Sequence, residues 1–270
     1  MQTVRNTLIV AALSVASTSS ITLAGGPDFD LSPFVGPGSQ IAINAFQDDL
    51  QLEVDNVRVF AYEFGEEIGQ PFFLPDPGFH PLPGSGFASG SLVGFELTAP
   101  LSFWNGVGSA SFGALPNLES ISLGFGANVV VSGGASVPTP AGYAFGLIDL
   151  DGEFDDHLET FLLGAGGTTS APGTPTAGIY LLSLRVTSST PGVLASDTAY
   201  LLFANPSFDG QFEEQLDQAR LFVRDTFAPG TNLAVVPEPA ALSGLIILAG
   251  FAASRSALRR RVGRHVGSRI

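Results

Sequence analysis

Through most of the chain the apolar residues come in short runs, each closed by glycine, proline, serine or aspartate. That punctuation is the signature of a β-sandwich or barrel. Ile41 to Phe46 alternates apolar and small side chains, and Leu52 to Phe64 continues with Val54, Val57, Val59 and Tyr62. Further runs span 92–97, 120–125, 128–132, 143–148, 158–163, 178–187 and 198–203. With 22 phenylalanines in the chain, alternating strands would set many aromatic rings between two sheets. One segment breaks the pattern. Phe212, Leu216, Ala219 and Val223 recur at helical spacing, with Glu213, Glu214, Asp217 and Gln218 between them and Asp209 placed to cap the start. The expectation is a mainly β, single antiparallel β-sandwich-like domain over residues 25–227, with one amphipathic helix near its C-terminal end. Residues 228–236 would follow as a tether.

The chain has no cysteine, so its core must hold the fold without disulfides. The same absence removes thiolate metal sites and cysteine nucleophiles. Roughly 200 residues are enough, because a domain of that size buries about 70% of its unfolded surface. The whole chain carries a net charge of −14, but that figure hides a division. All 25 acidic residues lie between residues 25 and 239, where the basic residues are Arg58, Arg185, Arg220 and Arg224. There is no lysine. So acidic a body repels nucleic acid and attracts cations.

Both ends read as addresses. Arg5 precedes an apolar stretch from Leu8 to Ala16, and small residues lead to Thr22-Leu23-Ala24 before Gly25. This is the plan of a secretory signal peptide over residues 1–24, cut after Ala24, with Ser19 the alternative. At the other end, Val236-Pro237-Glu238-Pro239 opens a segment with no charge until Arg255. Residues 239–254 can therefore enter a lipid phase, although about 20 apolar residues would be needed for a full crossing. Snorkelling arginines and local thinning can cover such a deficit. Arg255, Arg259, Arg260, Arg261, Arg264 and Arg269 then hold the end on the cytoplasmic side.

The ordered triplet of motif, apolar segment and arginine cluster over residues 237–270 resembles the PEP-CTERM sorting signal of bacterial exported proteins. The resemblance implies cutting at Pro237, Glu238 and Pro239 by an exosortase-like membrane enzyme after passage through the export machinery. An uncut C-terminal membrane helix is the alternative. It also implies a place in the cell envelope or on the extracellular surface, in bacteria that make exopolysaccharide or biofilm. The body resembles no characterised family.

The chemistry available to the body is limited. Its histidines are His80, in a Pro-rich loop, and His157, in an acidic run. No G-x-S-x-G, H-E-x-x-H, P-loop or G-x-G-x-x-G motif occurs. No catalytic residue is assigned. The densest polar stretch runs from Asp149 to Glu159, where Asp149, Asp151, Glu153, Asp155 and Asp156 could serve calcium as loop ligands. Phe154 stands where the EF-hand pattern needs glycine, which leaves a solvated hairpin tip between the runs at 143–148 and 158–163 as the other reading. Zinc is set aside because His157 is the only nitrogen ligand nearby in sequence. Trp104 precedes Asn105-Gly106, a two-residue hairpin signal, and reads as a core or edge residue rather than a sugar platform. The function expected is that of a non-enzymatic surface or matrix protein, with extracellular polysaccharide as a partner. The alternative is a calcium- or carbohydrate-binding surface module using residues 149–159, and a hydrolase is the third reading.

Overall fold

A computed structural model describes residues 29–65, 68–106, 111–134, 142–205 and 212–234. The expected signal peptide, the N-cap Asp209, the Pro237–Pro239 motif, the apolar segment and the arginine cluster lie outside the described residues. Among the described residues no helix is long and apolar enough to cross a membrane.

The described residues are mainly β with one α-helix. The first strands are β1 (Asp30–Val35), β2 (Ile41–Gln47), β3 (Leu52–Val54), β4 (Val57–Glu63), β5 (Phe73–Leu74) and β6 (Gly78–Phe79). Then come β7 (Leu92–Trp104), β8 (Phe112–Gly113), β9 (Ser120–Phe125), β10 (Asn128–Gly133), β11 (Gly142–Leu147), β12 (Asp156–His157) and β13 (Glu159–Leu163). The last are β14 (Gly178–Ser188), β15 (Ala199–Asn205), helix α1 (Phe212–Phe227) and β16 (Asn232–Leu233). They form three sheets, ordered β12-β6-β1-β2-β3, β10-β9-β13-β5 and β11-β7-β14-β15-β4-β16, with β8 added to β7.

The third sheet is covered on both faces, and its sequence says why. Along β14, Tyr180, Leu182, Leu184 and Val186 enter the main core, while Ile179 and Leu181 face the other way. Such near-continuous apolar runs belong to strands without a wet face. Ala199, Leu201 and Phe203 of β15 join the main core with Leu31, Ile43 and Phe79 of the first sheet and Leu74, Ile121 and Leu162 of the second. The opposite face packs Val59, Ile179, Leu181, Leu202 and Ala204 against Phe212, Leu216, Ala219 and Val223 of α1. The helix thus forms a layer of its own.

The β-character and the helix agree with the expectation, but four features differ from it. First, the sheets are not wholly antiparallel: β15 and β16 both pair with β4 in parallel, as does β6 with β1. Partners so far apart in sequence arrive by long crossovers, which leave no local signature. Secondly, β11 and β13 do not form a hairpin. Leu147 pairs with Leu92 in the third sheet, whereas Leu163 pairs with Ser120 in the second. Between them β12 adds to β6 in the first sheet, so the acidic loop touches all three.

Thirdly, the expected tether is partly folded. Ala228 is buried, Asn232 and Leu233 pair with β4, and Ala234 reaches the main core. Arg220 fastens this segment by donating to the Ala234 carbonyl at 2.5 Å. Fourthly, Trp104 is buried against Phe112 and Phe222, but it pairs with Phe112 itself, so the β7–β8 connection is longer than a two-residue turn.

Boundaries shifted for local reasons. β7 runs past its expected end at Leu97 because the ladder to β14 slips around Pro100, between the pairs Ser183–Ala99 and Leu181–Ser102. A proline in a strand lacks its N–H, and a bulge accommodates it. The run 52–64 is split at Asn56, which has φ of 54° and donates its amide to Asn44 Oδ1.

Candidate functional site

Strand β6 is only two residues long, yet it brings the polar chemistry of the molecule to one place. Its neighbours are β1 on one side and β12 on the other. Asp30 opens β1, Asp76 and Pro77 precede β6, His80 follows it, and Asp155 and His157 flank or lie on β12. Asp48 arrives from the turn after β2, since Phe46 pairs directly with Asp30. Four carboxylates and two imidazoles that are scattered in sequence meet here.

The contacts are specific. His157 Nδ1 lies 3.1 Å from the Pro75 carbonyl and 3.2 Å from Asp76 Oδ1. Its Nε2 lies 3.3 Å from Asp155 Oδ1. His80 is braced by its backbone N–H on the Leu31 carbonyl and by an edge contact with Phe46 at 4.9 Å. Its Nδ1 is buried without a hydrogen-bond partner, 3.7 Å from Asp48 Oδ1. Thr160 donates its hydroxyl to the Asp76 carbonyl, and the Leu158 amide donates to Pro77. Asp30 is 6% exposed, and its carboxylate makes no hydrogen bond to a described residue. Gly78 makes room for it, because a Cβ there would sit 2.0 Å from Asp30 Oδ1 and 2.8 Å from His157 Cε1.

The electrostatics follow from this packing. Burial pushes the Asp30 carboxyl up to about 7; the His157 charge opposes the shift, while Asp76, Asp155 and Asp48 add to it. His157 is pushed up to about 9, first by its hydrogen bond to Asp76, against its own burial, and then by the charges of Asp30, Asp76 and Asp155. Burial thus works against the charged form of Asp30, while the carboxylates around His157 favour the charged form of its imidazole.

The residues expected in the acidic loop have separate fates. Asp149 is spent on the turn itself: its Oδ1 accepts from the amides of Asp151, Gly152 and Glu153 at 2.9, 2.9 and 3.1 Å. Hydrogen bonds from those amides, led by that of Glu153, hold its carboxyl below the usual range against a small desolvation. Asp151 is exposed, Glu153 half-buried, and Asp156 lies on β12 with its carboxyl raised by burial and by Asp155. Of the five, Asp155 alone joins a set of groups close enough to share an ion. Sequence reasoning missed Asp30, Asp48, Asp76 and His80 as partners of this loop. The signal that could have found them is slight: Asp76-Pro77-Gly78-Phe79-His80 packs a carboxylate, a glycine and an imidazole into five residues.

A shallow cleft bounded by Gln40, Ile43, Asn56, Arg58, Ser196 and Asp197 lies at the opposite end of the β1–β2 hairpin. Its cation is already engaged. Arg58 donates to the Thr198 carbonyl, pairs with Asp197 at 3.6 Å and lies over the Tyr200 ring.

No family model matches the chain, and no curated protein matches it. Among solved structures, the CooA pilin subunit from enterotoxigenic Escherichia coli is similar over 67% of this chain and 100% of that one, at 15% identity. The TM-score of 0.27 makes the likeness too slight to carry an argument.

Proposed function

We propose that this is an exported, non-catalytic protein of the cell surface or extracellular matrix, sorted through its PEP-CTERM-like tail. The observation that carries the reading is the order of the C-terminal residues: Val236-Pro237-Glu238-Pro239, an uncharged segment, then six arginines. The leader at residues 1–24 supports it from the other end. So does the body between them, which has no cysteine and among its described residues buries 44 apolar side chains. The acidic body and arginine-only tail suit opposite sides of a membrane.

The hydrolase reading would need an imidazole hydrogen-bonded to a hydroxyl; among the described residues His157 Nδ1 faces the Pro75 carbonyl and Asp76, and His80 Nδ1 has no hydrogen-bond partner. The test is fractionation of producing cells that contain an exosortase, comparing the natural chain with Glu238→Ala. The natural chain should reach the surface or the medium, and the variant should accumulate uncut in the membrane. Both chains in the cytoplasm, or identical distributions, would contradict the reading.

A further inference from the structure

A patch of carboxylates on so acidic a protein would be unremarkable by itself. Three observations separate this one from ordinary surface charge. Asp30 is almost wholly buried with no hydrogen bond from a described residue to its carboxylate, its nearest cationic group being His157, and close by His80 Nδ1 is buried with no hydrogen-bond partner. Buried polar groups without partners are costly, so they usually face a ligand or a counter-charge. Next, the ligating atoms of Asp30, Asp155 and His157 all lie within 4.8 Å of one another, and those of Asp48, His80 and Asp155 form a second such set. Asp155 belongs to both. Finally, the Pro75 carbonyl can only accept, so His157 carries a proton on Nδ1 and turns Nε2 toward Asp155. An imidazole braced through one nitrogen by a carbonyl and a carboxylate, with the other facing acidic groups, has the arrangement of a metal ligand.

We propose that these residues bind a divalent transition-metal ion, held by the carboxylates of Asp30 and Asp155 and by Nε2 of His157. Asp48 and His80 form an adjoining half-site that shares Asp155. Two carboxylate oxygens and an imidazole nitrogen suit ions of the zinc or manganese class, whereas calcium takes 6–8 oxygens. On sequence His157 has no nitrogen neighbour; the fold brings His80 to the adjoining set through the shared Asp155. Asp76 acts as a positioning residue, since it touches His157 rather than the ion. Gly78 leaves the space that the Asp30 carboxylate occupies.

The experiment uses the full chain in detergent, stripped with a chelator and titrated with zinc and, separately, with calcium. Zinc should bind saturably and raise the unfolding temperature, because an ion held by the native state alone stabilises it. Calcium at the same concentration should not. His157→Gln and Asp155→Asn should abolish saturable zinc binding, Asp76→Asn should weaken it by about 10–100-fold, and Gly78→Ala should weaken it by displacing Asp30. Wild-type protein that binds no zinc would overturn the proposal. So would zinc binding unchanged in His157→Gln, or calcium binding in place of zinc. If circular dichroism shows a variant to be unfolded, X-ray absorption of the zinc-loaded natural chain decides instead. Imidazole scattering with oxygen neighbours is expected, and an all-oxygen shell would sink the idea.

Discussion

Glu119 shows how this acidic protein accommodates a buried charge. It is 1% exposed, and burial alone would raise its pKa. Three donors reverse the effect: the Thr176 hydroxyl at 2.5 Å, the Asn117 amide at 2.8 Å and the Thr176 amide at 3.3 Å. The carboxyl is held below its ordinary value of 4.5. A depressed folded pKa contributes stability that is present above the unfolded value and lost as pH falls through the folded one. Urea unfolding at pH 6 and again well below pH 4.5 should show a larger loss for the natural chain than for Glu119→Gln. Parallel losses would mean that the hydrogen bonds do not favour the ionised form. Asp30 has no such donors, which is why the same burial drives its carboxyl the other way. None of this is visible in the chain order. Asp30 and His157 lie far apart in sequence, and only the two-residue strand β6 joins them. The acidic run 149–159 was conspicuous, but nothing local marks Asp149 as a turn-former and Asp155 as a member of the cluster.

At the scale of elements, most strands of five or more residues were legible, but the six-residue β1 was not, and neither were the two-residue strands. β9 matches its expected span because an apolar run bounded by glycine and serine is its own signal. β5, β6, β8, β12 and β16 are two residues each, too short to carry a period, and three of the five position or border the cluster. What anchors β6 is Phe79, fully buried with its ring 5.0 Å from Phe145 and 6.3 Å from Phe95. Phe79→Ala should cost about 3–5 kcal/mol in chemical denaturation; a loss under ~1 kcal/mol would mean that β6 is not fastened through this ring. Helix α1 was predicted from its spacing, and the structure adds what its buried cation does. Arg220→Met removes the bond to the Ala234 carbonyl and should speed hydrogen exchange at Asn232–Ala234 while α1 stays protected. Unchanged exchange there would show that pairing with β4 holds β16 without the arginine.

The whole molecule divides its charge by position. Apart from Glu238, the acidic residues stay with the cysteine-free domain, while the arginines of the C-terminus stand beyond an uncharged segment. Only the ends of the chain carry a legible destination, and they do so through order and charge rather than through a fold. The domain between them supplies a core closed on both faces of its largest sheet and one concentrated cluster of ligating groups. The central claim is that this domain is delivered outside the cell with both addresses removed. It is tested most directly by intact-mass and terminal sequencing of the protein recovered from the exterior of producing cells. The account predicts a chain shorter than the 27.9 kDa precursor, beginning at Gly25 and lacking the arginines beyond the Pro-Glu-Pro motif. A full-length 27.9 kDa chain found only in the cytoplasm would contradict it.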